Sequence, residues 1–278
     1  MTQGVAKLTQ EQILAAMIVK ELQKNSVIAP TLIDLSSQFA KGKVKAAIPS
    51  AGALSVENTP RDGSDVTGSD RQYDNTPLVI DQYKTVADYI YDLDDHESVL
   101  DLIADFYADA PQALAEIFET GLVGMMRTYG LASDNKFQLA GTDNQAITLD
   151  QVGELNELMT TAKVPKSMRY LAVSPRQARI LRSYDEVRHA NKFASDEAIR
   201  NGFIARLEGF DILESTDLTQ YEVMAYHGAA AAYGIGKEVK RDEERQGSKK
   251  RTFVSVDGGW GSKVIRDLIW FGNEAAVV

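Results

Sequence analysis

The chain holds 278 residues, 44% hydrophobic and 25% charged, a balance that supports one or two folded domains rather than a disordered polymer. It has no cysteine, which excludes disulfides, thiolate metal sites and thiol nucleophiles, and no run of eighteen apolar residues or signal-peptide pattern, so assembly in a cytosol is expected. Thirty basic against forty acidic residues leave a formal net charge of −10, which speaks against a protein whose task is gripping phosphate backbones.

Thr9-Gln-Glu-Gln12 has the form of a capping box, and Ile13, Leu14, Met17, Ile18 and Leu22 continue one apolar stripe, predicting a short amphipathic helix to Lys24. Residues 25–42 carry apolar side chains without a period and are broken by Pro30 and Gly42, which predicts an extended arm. Residues 43–57 and 77–91 both read as extended, the second rich in Val, Ile, Tyr and Thr. Between them, 58–76 holds only Val66 and Tyr73 as apolar side chains and cannot bury itself. The two stretches therefore read as a long finger with a polar tip, marginal alone and expected to lie against another molecule.

The longest helical period runs from Asp95 to Tyr129, with Val99, Leu102, Ile103, Phe106, Ala110, Leu114, Ile117, Phe118, Leu122 and Met125 on one face. Its length corresponds to a spine of roughly 50 Å. Pro111 predicts a kink, or a fresh start with Asp109 as N-cap. After a loop or short hairpin over 131–141, Thr148-Leu-Asp-Gln151 forms a second capping box ahead of Val152, Leu155, Leu158 and Met159. A strand from Met168 to Val173 follows, then a helix with Ser174 as N-cap and Pro175 in the first turn, an α+β arrangement. From Gly202 the chain becomes β-rich, with Gly247-Ser248 as a hairpin turn.

No catalytic constellation emerges. The three histidines, His96, His189 and His227, fall in different segments. The acidic run Asp92, Asp94, Asp95, His96, Glu97 complements a helix dipole better than it surrounds a metal. Asp62, Asp65, Asp70 and Asp74 lack the spacing of a calcium loop, and no glycine-rich stretch has the frame of a phosphate cradle. The basic cluster Lys237, Lys240, Arg241, Arg245, Lys249, Lys250, Arg251 alternates with Asp242, Glu243 and Glu244, which suits a solvated or subunit-facing strand pair better than a nucleic-acid groove. No cofactor and no metal site is assigned.

The order of parts carries more than any motif: arm, polar-tipped finger, spine helix, α+β layer, β-rich close. It resembles the major capsid protein of tailed bacteriophages, the Hong Kong 97-type shell fold. Lys41-Gly-Lys-Val-Lys-Ala-Ala-Ile48-Pro49 is similar to the family's entry into its extended loop, and Leu171-Ala-Val-Ser-Pro175 to a strand and helix of its axial domain. Gly202-Phe-Ile204, Gly209-Phe-Asp-Ile-Leu-Glu-Ser215, Lys240-Arg-Asp242, Val256-Asp-Gly258 and Trp260-Gly-Ser-Lys-Val-Ile-Arg266 resemble its later strands. Asp267 stands where relatives commonly carry proline, and the finger tip has no lysine, so a covalent lysine–asparagine cross-link does not transfer. The absence of a coiled-coil leader suggests a scaffold that is separate or absent.

The resemblance implies an α+β fold divided into an N-terminal arm (1–42), an extended loop (43–92), the spine helix of a peripheral domain (93–130), an axial domain (131–228), a peripheral β-hairpin (229–261) and a final strand and C-terminus (262–278). It implies a non-enzymatic shell subunit forming hexamers and pentamers around double-stranded DNA without sequence-specific binding, located in the virion and assembled in a bacterial cytoplasm, with no membrane partner. Separate scaffolding, decoration and portal proteins are candidate partners. Candidate inter-subunit contacts are Ile48, Pro49, Arg61, Asp62, Asp65, Arg71, Tyr73, Tyr83, Tyr89, Lys240, Arg241, Glu243, Glu244 and Arg245. Two alternatives stand beside it: the shell of an encapsulin-type nanocompartment, and a soluble α+β enzyme or binding protein with a pocket near His96 or His227.

Overall fold

A computed structural model describes residues 26–39, 43–51, 73–92, 102–140, 146–184, 203–236 and 241–273. The predicted helix over 9–24, most of the finger tip, the acidic run from Asp94 to Glu97 with His96, and His189 lie outside these residues.

In chain order the strands are β1 (Ile33–Asp34), β2 (Lys45–Ala51), β3 (Tyr73–Val79), β4 (Gln82–Tyr91), β5 (Lys136–Gln138), β6 (Arg169–Val173), β7 (Phe203–Leu207), β8 (Phe210–Glu214), β9 (Val223–His227), β10 (Ala231–Ile235), β11 (Arg241–Gln246), β12 (Arg251–Val264) and β13 (Ile269–Asn273). The α-helices are α1 (Leu102–Ala132), α2 (Leu149–Thr161) and α3 (Pro175–Leu181). The strands form a six-stranded sheet in the order β5-β13-β9-β6-β8-β7, a five-stranded sheet built on β12, and the two-stranded β2–β3 pair.

The six-stranded sheet is covered on both faces, and the period of two explains how. Leu171, Val173, Val223, Ala225 and Trp270 point to one side, where Val152, Leu155 and Met159 of α2 and Ala178 and Leu181 of α3 close the core. Ala172, Met224, Tyr226, Ile269 and Phe271 point to the other, where α1 supplies Leu114, Phe118, Leu122 and Met126. Central strands buried on both faces lose the apolar–polar alternation of a half-exposed sheet, and all five residues of β9 are buried. The β7–β8 hairpin turns through Glu208 and Gly209, both at positive φ (49° and 83°), as a two-residue type I′ turn requires.

The spine helix α1 is 31 residues long, roughly 46 Å. Pro111 sits inside it without ending it; the proline ring is buried and the helix runs on through the missing donor. The buried face is set by 110, 114, 118, 122 and 126 with 111, 115, 119 and 123 beside them, so Ile117 falls outside it at 43% exposed. Phe118 meets Tyr233 and Trp260 edge-on, with centroids 5.4 and 5.7 Å apart, and thereby joins the helix to the five-stranded sheet.

Strand β12 spans 14 residues, roughly 46 Å. Its end near Trp260–Val264 pairs with β10 in the core, while its Arg251–Val256 half runs outward between β11 and β4. This corrects the reading of 77–91 as one finger strand. The chain breaks at Ile80–Asp81; residues 73–79 pair with 45–51, whereas 82–91 pair antiparallel with β12. Alternation marks a strand but does not name its partner.

The arm also differs from an extended crossing. Residues 26–39 make two short 3-10 turns and the two-residue β1, which pairs parallel with β10. Ile28, Leu32 and Phe39 are buried against the chain's own core. The close approach needs glycine: a Cβ on Gly234 would lie 2.2 Å from the Phe39 ring, and one on Gly261 would lie 1.9 Å from the Val79 carbonyl at the finger base.

Candidate functional site

Those of the residues singled out from sequence that the structure describes fall on two surfaces. On β4 the period of two places Tyr83, Tyr89 and Tyr91 on one face, 64%, 43% and 45% exposed, while Val86 and Ile90 turn inward. Across the β4–β12 ladder Tyr89 stands opposite Phe253, ring centroids 5.2 Å apart, and Tyr91 opposite Arg251. The Arg251 guanidinium lies 3.7 Å from the Tyr89 ring centroid and donates to Tyr91 Oη and Gln246 Oε1. The result is an aromatic–cationic stripe on an open sheet face.

The outer edge is β11, where Asp242, Glu243, Glu244 and Arg245 are exposed. Arg245 grips Asp92 through both terminal guanidinium nitrogens, tying the end of β4 to β11 and pushing the arginine pKa up. A charged edge strand discourages indiscriminate pairing with other sheets. Arg241 opens β11, and Lys240 lies outside the described residues.

The second surface is the β2–β3 finger. Ile48 is half-buried and Pro49 exposed on β2; Tyr73 opens β3 opposite Ala51. Arg61, Asp62, Asp65 and Arg71 lie outside the described residues. The finger base is held by Phe39, Ala46, Leu78 and Ile80, by Ile80 N–H donating to Val44 O at 3.0 Å, and by Lys263 Nζ donating to Pro77 O at 3.2 Å. The finger is thus fixed at its base by the arm and the sheet, and among the described residues its strands pair with each other alone.

Two buried polar clusters escaped the sequence reading. Glu119, on the buried face of α1, accepts from Val27 N–H (3.1 Å), Ile28 N–H (2.6 Å), Ala29 N–H (3.4 Å) and the Ser26 hydroxyl. Burial raises its pKa, against the pull of the donors, and nearby Asp217 raises it further. This carboxylate anchors residues 26–29 to α1. Arg169, 1% exposed, donates to the carbonyls of Asn156, Val164 and Pro165 and to the side chains of Asn156 and Thr160, capping the C-terminal end of α2. The signal for each is a charged residue in a buried register: Glu119 four residues from Ala115 and Val123, Arg169 alternating with Leu171.

His227 is buried on β9, its Nδ1 accepting from Ala229 N–H at 3.0 Å. Burial lowers its pKa, and the charges of Arg169 and Arg266 lower it further. Among the described residues no three His, Asp or Glu side chains converge as a metal site, and no helix is long and apolar enough to cross a membrane.

No protein-family profile and no curated sequence matches the chain. Solved structures do. A chain of Mycobacterium phage Che8 superposes with a TM-score of 0.68 at 23% identity, covering 89% of this chain and 91% of that one. A chain from the capsid of cyanophage P-SCSP1u gives 0.68 at 18% identity, covering 88% and 86%. A virus-like particle from Pyrococcus furiosus gives 0.54 at 13% identity, covering 96% and 100%. The chain has the α+β architecture of a shell subunit. Specifically, it shares the Hong Kong 97-type fold of tailed-phage capsid proteins.

Proposed function

We propose that this chain is the major capsid protein of a tailed bacteriophage, a structural rather than catalytic protein that assembles as hexamers and pentamers into an icosahedral shell around double-stranded DNA. The observation that carries the reading is the likeness to phage capsid chains over nearly nine-tenths of both chains. The lower similarity to the virus-like particle gives the nanocompartment alternative less support.

The mechanism is geometric. The six-stranded layer serves as the axial domain and the β12 sheet with the spine as the peripheral domain. The finger lies over a neighbouring copy, and Tyr83, Tyr89, Arg241, Glu243, Glu244 and Arg245 meet other copies along the outward half of the β12 sheet. Many individually weak contacts sum to a stable shell because each subunit, once held by some, makes the rest at high local concentration. The acidic excess keeps the lining from adhering to packaged DNA. Scaffolding, decoration and portal proteins are the partners such a shell takes, in a virion built in a bacterial cytoplasm.

Electron microscopy of purified particles, with their nucleic-acid content measured, tests this. Closed polyhedral shells holding double-stranded DNA are expected. Shells that hold protein cargo and no DNA favour the compartment reading. Small fixed oligomers at every concentration, scaffold included, contradict both.

A further inference from the structure

One face of the five-stranded sheet is bare where β10 meets β12. Ala231, Tyr233 and Ile235 turn to the spine helix, and the positions between them face the other way. There Gly234 stands opposite Gly261, and the Gly236 N–H donates to the Gly259 carbonyl at 2.7 Å. A Cβ on Gly234 would overlap the Phe39 ring, and one on Gly261 the Val79 carbonyl. On Gly236 it would come 3.0 Å from Ile80 Cδ1, and on Gly259 3.0 Å from the Tyr83 ring. Glycine weakens a strand, so four of them here are accounted for by what lies directly on the backbone.

What lies there is the root of the finger. Phe39, 1% exposed, closes a small core with Ala46 of β2, Leu78 of β3 and Ile80, apart from the two larger cores. Phe39 belongs to the arm, not to the finger, and the arm is pinned just before it. The Leu35 N–H donates to Tyr233 O at 2.9 Å, the Ile235 N–H donates to Ser36 Oγ at 3.0 Å, and the Ser36 N–H donates to Asp34 Oδ1 at 2.8 Å. The ring is thus held between the sheet and the β2–β3 pair as a wedge. Strand β3 covers seven residues, roughly 23 Å, so a tilt of about 10° at the root would carry its far end about 4 Å.

We propose that Phe39, seated on the four-glycine face, sets the angle at which the finger leaves the body, and that the arm holds this wedge in place. Phe39 is a positioning residue: it acts on whatever the finger meets only through the finger's direction. A strand pair whose direction is fixed beforehand loses less freedom when it docks on another surface. The angle is a property of one chain and does not depend on the shell reading.

The chain has no native cysteine, so two spin labels can be placed on the full-length protein through Asn75→Cys on β3 and Gln112→Cys on α1, both exposed positions. Pulsed electron double resonance, with labelled chains diluted in unlabelled ones, reads the distribution of finger-to-spine distances. A single narrow distribution is expected for the parent. Phe39→Ala is expected to broaden it about twofold, and Phe39→Leu to restore most of the narrowness. Gly234→Ala, which displaces the ring rather than removing it, is expected to shift the mean by several ångströms. Leu32→Ala removes a buried arm side chain that packs in the larger core and not at the finger root. It is expected to lower thermal stability and leave the distribution unchanged. An unchanged distribution in Phe39→Ala, or equal broadening in Leu32→Ala, would overturn the proposal, as would a broad distribution in the parent. Should Phe39→Ala fail to fold, an unmoved mean in Gly234→Ala overturns it equally.

Discussion

The six-stranded layer and the outward half of the β12 sheet are built from the same kind of strand and finished in opposite ways. In the layer, β6, β9 and β13 are covered on both faces by helices of the same chain, and even the charged Arg169 finds five acceptors inside it. In the outward half, β12 is buried or half-buried over residues 251–256, whereas β4 leaves three tyrosines exposed and β11 is an exposed, charged edge. The layer completes itself. The outward half leaves aromatic and charged surface open among the described residues, as the proposed shell role calls for.

Substitutions separate the two regions. The largest expected effect is Phe118→Ala, which empties the junction between spine and both sheets and lowers unfolding stability by about 3–5 kcal/mol, read by denaturant titration. Arg169→Met comes next: it leaves buried carbonyls of the α2 end without donors and costs about 2–4 kcal/mol. A loss as small as that of a surface change would contradict the cap assigned to it. On the other side of the comparison, Tyr83→Ala with Tyr89→Ala is expected to change unfolding of the isolated subunit by only about 1 kcal/mol, including the lost Arg251 stacking, yet to reduce assembly yield strongly by light scattering. Equal damage to folding and assembly would erase the contrast.

The smallest effects are in pH. Burial raises Glu119, so between the titration of a free glutamate and that of the buried one the native state holds a proton the unfolded chain has lost. Its contribution is full below the unfolded pKa of 4.5 and is lost as pH rises through the folded value. Glu119→Gln therefore removes a decline of stability with rising pH. His227 has the opposite sign: its folded pKa is lowered, so its contribution is present above 6.5 and lost as pH falls through the folded value. His227→Gln is expected to flatten the acid side of a melting-temperature profile, and an unchanged profile would remove His227 from the account.

Local chemistry was legible in the sequence wherever a residue acts on its neighbours. Thr148 and Gln151 form the capping box, Pro175 opens α3, and the spine helix runs through the predicted period. Long-range choices were not legible. Residues 82–91 look like the second finger strand because β propensity carries no address; only the tertiary structure assigns them to β12. The arm read as extended because its apolar residues have no period, whereas β10, Glu119 and the finger base each hold a different part of it. Ser174 holds the N-cap position as read, but its hydroxyl donates to Gln220 O at 3.1 Å and accepts nothing from the first helical turn. The tyrosine stripe was half seen, since Tyr83 and Tyr89 stood out while Arg251 and Phe253 arrive from a strand some 160 residues away.

Electron cryomicroscopy of the assembled particle, resolved to side chains, tests the central claim most directly. The account predicts a closed icosahedral shell of hexamers and pentamers in which the finger strands and the Tyr83–Tyr89 face of each copy are buried by neighbours. A particle with those surfaces open to solvent, or a small oligomer that never closes, would contradict it.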